Sequence, residues 1–143
     1  MNMKKRKINF WVVIIIIFSN LLISNTLLAQ TQEEIYKELI RQEVKCPDIV
    51  MAQILYETGH LESNRFQVQH NLFGMKLARQ RQTTAIGKDK DNFAIYRNWK
   101  QSIADYLIWQ TKYYKGGNYY EFIKNSGYCP SIDYVPTLKR IKI

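Results

Sequence analysis

Histidine, cysteine and proline are scarce in this chain: 143 residues hold two His, two Cys and three Pro. Each scarcity closes a route to function. The two histidines, His60 and His70, do not form the two-His, one-Glu helix of a zinc protease, and neither stands at ligand spacing from a cysteine. A Gly-x-Ser-x-Gly nucleophile elbow and a glycine-rich phosphate loop are both missing. No metal and no cofactor are expected. Pro-rich linkers, repeats and low-complexity tracts are absent too, so the chain reads as one domain behind a short leader.

Positive charge opens the sequence. Lys4, Lys5, Arg6 and Lys7 precede an apolar run from Ile8 to Ile23, which relaxes into Ser24-Asn25-Thr26-Leu27-Leu28-Ala29. Basic flank, apolar stretch and small residue is the order of a secretory signal peptide. Residues 1–29 are read as that signal, cleaved after Ala29, which predicts export to the periplasm or cell surface. The alternative is an uncleaved anchor, the one route to a membrane, although Ser19 and Asn20 interrupt a run that would need about 20 mostly apolar residues. Residues 30–143 are then the folded domain, expected to be monomeric. The net charge is +9; without the four leader cations it is 17 basic against 12 acidic residues, or +5. That suits an acidic polymer without naming one. Export, not charge, disfavours nucleic acid as a partner.

In an oxidising compartment the pair Cys46 and Cys129 is a candidate disulfide, closing a long loop worth about 4–5 kcal/mol by chain entropy. Two buried free thiols are the alternative.

The apolar periodicity predicts mostly helix. Thr31 and Glu34 read as a capping box for a helix ending near Val44. Pro47 opens a second helix, apolar on nearly all faces from Ile49 to Tyr56 and closed by Gly59. Residues 61–76 read as irregular. Thr83–Ile86 and Phe93–Tyr96 read as the strands of a β-hairpin around a polar turn, 87–92. Ser102, with Asp105 at the box position, caps a third helix that Gly116-Gly117 stops; Asn118 starts a short fourth, closed by Gly127, and Pro136 a last turn or two. The fold class is α+β, mainly α, with one small hairpin lobe.

Glu57 falls in the last turn of the apolar second helix. Low-dielectric surroundings and the negative end of the helix dipole both disfavour its ionised form. Glycoside hydrolysis needs such a carboxyl, still protonated near neutral pH, to protonate the leaving oxygen. By position alone, a solvated glutamate at a helix end is the commoner explanation.

Two linked segments go further. Pro47-Asp48-Ile49-Val50-Met51-Ala52-Gln53-Ile54-Leu55-Tyr56-Glu57-Thr58-Gly59 resembles the catalytic helix of the glucosaminidase domain, glycoside hydrolase family 73. Asn71-Leu72-Phe73-Gly74-Met75-Lys76 resembles that family's NLFG-K segment, and Phe93–Trp99 and Gly127–Tyr134 match in order and kind. The resemblance implies a lysozyme-like fold, peptidoglycan glycan strands as partner, cleavage of the β-1,4 bond after N-acetylglucosamine, and Glu57 as general acid. Asn71 and Phe73 would line the cleft, with Gly74 permitting close backbone approach. Tyr96 and Trp99 either stack on sugars or pack the hairpin onto the helices. Tyr128 or Tyr134 would hold the substrate's N-acetyl group, Tyr128 being favoured because it follows Gly127. Asp89 and Asp91 on the hairpin are the candidates for a second carboxylate, with Glu62 nearer in sequence. Charged hairpin tips are usually only solvated, so the expectation is one indispensable carboxyl, assisted by the substrate's own N-acetyl group.

Overall fold

The computed structural model describes residues 31–143; the expected signal segment, 1–29, lies outside them. The first helix, α1, covers residues 31–41 of the described chain. Thr31 is already helical, which differs from its expected capping role. Ile35 and Leu39 bury one face of α1. Glu38 on the same helix meets Arg41, Gln42 and the ammonium of Lys100, 3.8 Å away. The Arg41 bond is the main force pushing its pKa down to about 2. A left-handed residue, Glu43 at φ 60°, then turns the chain into α2, Pro47–Thr58.

Helix α2 is the spine of the core. Pro47 occupies its first turn, where a missing N–H costs nothing, and Asp48 complements the positive helix end. Val50 through Leu55 and Thr58 are all buried, the apolar ones as the sequence predicts and Gln53 and Thr58 as polar residues inside the core. Gly59 closes it at φ 55°, with its N–H returned to the last turn.

The stretch read as irregular contains a short helix, α3, Asn64–Gln69, capped by Ser63 accepting from the Phe66 N–H. None of its residues is buried, so it leaves no apolar period for the sequence to display. The hairpin is also shorter than expected and shifted. Its strands are β1, Gly87–Lys88, and β2, Ala94–Ile95, antiparallel with Gly87 opposite Ile95 and Lys88 opposite Ala94. Asp89 moves it. Its carboxylate accepts from the Asp91 and Phe93 N–H groups and builds the turn, so the first strand ends two residues later than composition suggested. The upstream residues are instead fastened by side chains: Thr84 Oγ1 donates to Gln101 O at 2.6 Å.

Helix α4, Trp99–Tyr113, begins three residues before the expected cap, with Asn98 accepting from the Gln101 N–H. Ser102 is therefore internal and buried, and Asp105 is not a capping residue at all. Helices α5, Tyr119–Asn125, capped by Asn118, and α6, Tyr134–Leu138, complete the domain. The architecture is α+β, mainly α.

Candidate active site

Helix α2 ends by delivering Glu57, half-buried, to a pocket of about 250 Å³. Phe73, Gly74, Met75, Lys76, Tyr128 and Cys129 form the rest of its border, so Glu57 is the one carboxylate there. Its two oxygens stand in different surroundings. Oε1 accepts from the Tyr134 hydroxyl at 2.9 Å. Oε2 faces Gly74, where an added β-carbon would stand 3.0 Å from it; Gly74 also has φ 59°. Two independent features thus favour glycine at this position.

Burial raises the Glu57 pKa; the Tyr134 hydrogen bond and the nearby Arg65 guanidinium oppose it without cancelling it. The carboxyl end of α2 acts in the same sense as burial, and no basic residue in the last turn offsets it.

Tyr134 ends a buried hydrogen-bond chain whose direction is determined. The Gln110 amide donates to Tyr119 at 2.7 Å, and Tyr106 donates to Gln53 Oε1 at 2.6 Å. Because Tyr106 has one hydroxyl proton, Tyr119 donates in the 2.6 Å contact between the two phenols. Gln53 Nε2 then donates to Tyr134 at 3.4 Å, and Tyr134 to Glu57. Burial holds the phenols in their neutral form, with Tyr119 pushed up to about 12. Gln53 is the one amide between Ile49 and Tyr56 of α2, and its sequence neighbours give no sign of this task. Nothing local marked Tyr106 or Arg65.

The other expected site residues divide. Tyr128, favoured for the substrate's N-acetyl group, borders the pocket and donates its hydroxyl to Phe73 O at 2.7 Å, while the phenol that bonds Glu57 is that of Tyr134. Asn71 does not face the pocket. It is buried, its amide donating to Met75 O and Ala94 O, its oxygen accepting from the Phe73 and Met75 N–H groups. Its role is to shape the loop that places Gly74. Phe73 touches the pocket, but its ring is in the core, stacked 4.1 Å from Tyr106. Tyr96 is 1 % exposed, with its hydroxyl on Asp105 at 2.7 Å; of the two expectations for it, packing is what the structure shows.

Asp89 and Asp91 lie on the hairpin turn. Desolvation pushes the Asp89 pKa up, but Gln69 Nε2 and the Phe93 and Asp91 N–H groups more than compensate and hold it below the usual range. All three donors engage its carboxylate. Asp91 and Glu62 are exposed, and neither borders the Glu57 pocket. Between hairpin and pocket, Phe93 carries two cations over its ring, Arg65 at 3.5 Å and Lys76 at 3.7 Å.

The disulfide expected between Cys46 and Cys129 is not formed; both are free thiols. Cys46 sits at the head of α2 and Cys129 on the pocket at its foot. Twelve helical residues span about 18 Å, far beyond the roughly 7 Å between α-carbons that a bridge tolerates.

A mainly helical α+β domain that aims one protonatable carboxyl into a cleft has the equipment of a glycoside hydrolase. The sequence supplies the family: residues 33–142 match the glucosaminidase family, described as mannosyl-glycoprotein endo-beta-N-acetylglucosaminidase. The chain belongs to that family, and so to the glycosidases of peptidoglycan. No curated protein and no solved structure matches it.

Proposed function

We propose that this chain is an exported endo-β-N-acetylglucosaminidase, cleaving the β-1,4 bond after N-acetylglucosamine in peptidoglycan with Glu57 as its general acid. The supporting observation is the solitude of Glu57: no other carboxylate borders its pocket, and Asp89 is held by three donors. A two-carboxylate mechanism needs a partner about 5–9.5 Å across the sugar. With that partner lacking at the pocket, the substrate's acetamido group takes its place.

Protonated Glu57 gives its proton, through Oε2, to the glycosidic oxygen. The N-acetyl carbonyl oxygen bonds to C1 as the C1–O bond to the leaving sugar breaks, leaving an oxazolinium ion. Glu57, now a carboxylate, takes a proton from a water whose oxygen attacks C1. The bond from C1 to the acetamido oxygen breaks, the acetamide reforms and the anomeric configuration is retained. Tyr134 holds Oε1 throughout, so that Oε2 keeps its direction. Export rests on the basic and apolar order of residues 4–29.

The test is mass spectrometry of fragments released from purified peptidoglycan, wild type beside Glu57→Gln. N-acetylglucosamine at the new reducing end, absent with the variant, is expected. N-acetylmuramic acid or its anhydro form would make the chain a muramidase or lytic transglycosylase. Binding to the wall with no release by either protein would make it a glycan-binding domain.

A further inference from the structure

A second and larger cavity, about 750 Å³, lies outside the Glu57 pocket. The same two chain segments wall both. On one side, residues 73–76 border the Glu57 pocket and residues 78–81 the larger cavity. On the other side, Tyr128 and Cys129 border the first, and Phe122, Asn125 and Ser126 the second. Where they meet, Trp109 of the larger cavity stands 5.3 Å, ring to ring, from Tyr128 of the smaller. Tyr128 in turn is 6.2 Å from Tyr134, the residue that holds Glu57. The two cavities thus lie in succession along the same two chain segments, with the Trp109–Tyr128 ring pair between them.

The chemistry of the far stretch is specific. Trp109 and Tyr113 are four apart on α4 and share a face, with ring centroids 6.2 Å apart. Tyr113 is 47 % exposed. Flat rings at such a floor fit the apolar faces of pyranose rings. Two arginines border the same cavity and differ in state. Arg81 is 8 % exposed and already paired with Asp105. Arg79 is exposed and, among the described residues, has no hydrogen-bond or ion-pair partner. A free guanidinium beside an aromatic floor is suited to a planar carboxylate.

We propose that a glycan strand held at Glu57 continues into this cavity, where Trp109 and Tyr113 stack against its sugars and Arg79 pairs with a carboxylate it carries. That carboxylate belongs either to the stem peptide or, on strands stripped of peptide, to the lactyl group of the muramyl sugar. The inference rests on the peptidoglycan reading above, and it makes the enzyme selective for polymer over short fragments.

The test measures binding, so that it does not depend on cleavage. In the Glu57→Gln protein, titration calorimetry is run with three probes: chitooligosaccharides of increasing length, peptidoglycan strands with stem peptides, and the same strands stripped of peptide. Affinity is expected to rise with length beyond what fills the Glu57 pocket. Adding Tyr113→Ala should cost about tenfold on the long probes of every kind and leave the shortest unaffected. Adding Arg79→Ala should cost about tenfold only on probes bearing a carboxylate, and the two strand preparations show which carboxylate it is. Both positions are exposed, and unchanged binding of short chitooligosaccharides reports that the fold is intact. Equal affinity of all three proteins for long strands would overturn the proposal, as would an affinity that stops rising once the Glu57 pocket is filled. Failure of wild type to cut peptidoglycan would instead overturn the proposed function.

Discussion

At the scale of residues, Tyr134 and Gly74 stand against the two oxygens of Glu57. The Tyr134 hydroxyl donates to its carboxylate and so favours the ionised form, against burial. Removing that donor raises the Glu57 pKa further. Activity that requires the protonated acid declines as pH rises through this pKa, so Tyr134→Phe should move the alkaline limb of the kcat/KM profile to higher pH. A limb that stays in place or moves down would show that Tyr134 does not act on the titrating group. Gly74→Ala places a methyl 3.0 Å from Oε2 at a residue with φ 59°. The positive φ costs about 1–2 kcal/mol of stability. Displacing the acid should cost more, about a hundredfold in kcat, since small misplacements at a reacting centre carry penalties of that size. Equal kcat with lowered Tm would separate strain from catalysis and count against the role given to Oε2.

At the scale of elements, what the sequence displayed was the apolar period. Helix α2, its Pro47 start and its Gly59 stop were legible because eight neighbouring residues are apolar or nearly so and both ends carry residues with one conformational use. The end of α4 was legible only approximately: the helix stops at Tyr113, with Tyr114 extended at its C-cap, before Gly116-Gly117 is reached. Its start was not: Ser102 and Asp105 imitate a capping box, while Asn98 caps and Asp105 is internal. Asp105 in fact receives Arg81 at 2.6 Å, Tyr96 at 2.7 Å and the Thr84 N–H at 3.4 Å. It fastens the hairpin and its approach onto α4. These partners lie 9 to 24 residues away, a distance no local pattern records. Asp105→Ala leaves a buried guanidinium and a phenol without their acceptor and should destabilise the domain by about 3–5 kcal/mol in urea. A loss under about 1 kcal/mol would mean that water takes over both donors.

At the scale of the whole molecule, the place of Glu57 at the end of α2 was readable and its surroundings were not. Glu57 follows the most apolar segment of the described chain, which gave a physical cause for a raised pKa, and the linked NLFG segment supplied the family. Which aromatics meet at the cleft depends on α6 and α2 packing together, so Tyr134 and Tyr128 could not be told apart from spacing. Asn71 and Tyr96 sit in motifs that point to the cleft, yet they serve it from within, one shaping a loop and the other anchoring the hairpin. The carboxylates of the hairpin were likewise visible, but only the fold shows that Asp89 closes a turn. The central claim is that Glu57 works without a protein carboxylate partner. The measurement that tests it most directly is the rate of peptidoglycan solubilisation by Glu57→Gln, Asp89→Asn, Asp91→Asn and Glu62→Gln, side by side with wild type. Loss of the general acid should lower the rate by roughly 10²–10⁴-fold, and the other three should stay within a few-fold of wild type. A loss in any one of those three equal to that of Glu57→Gln would contradict the claim.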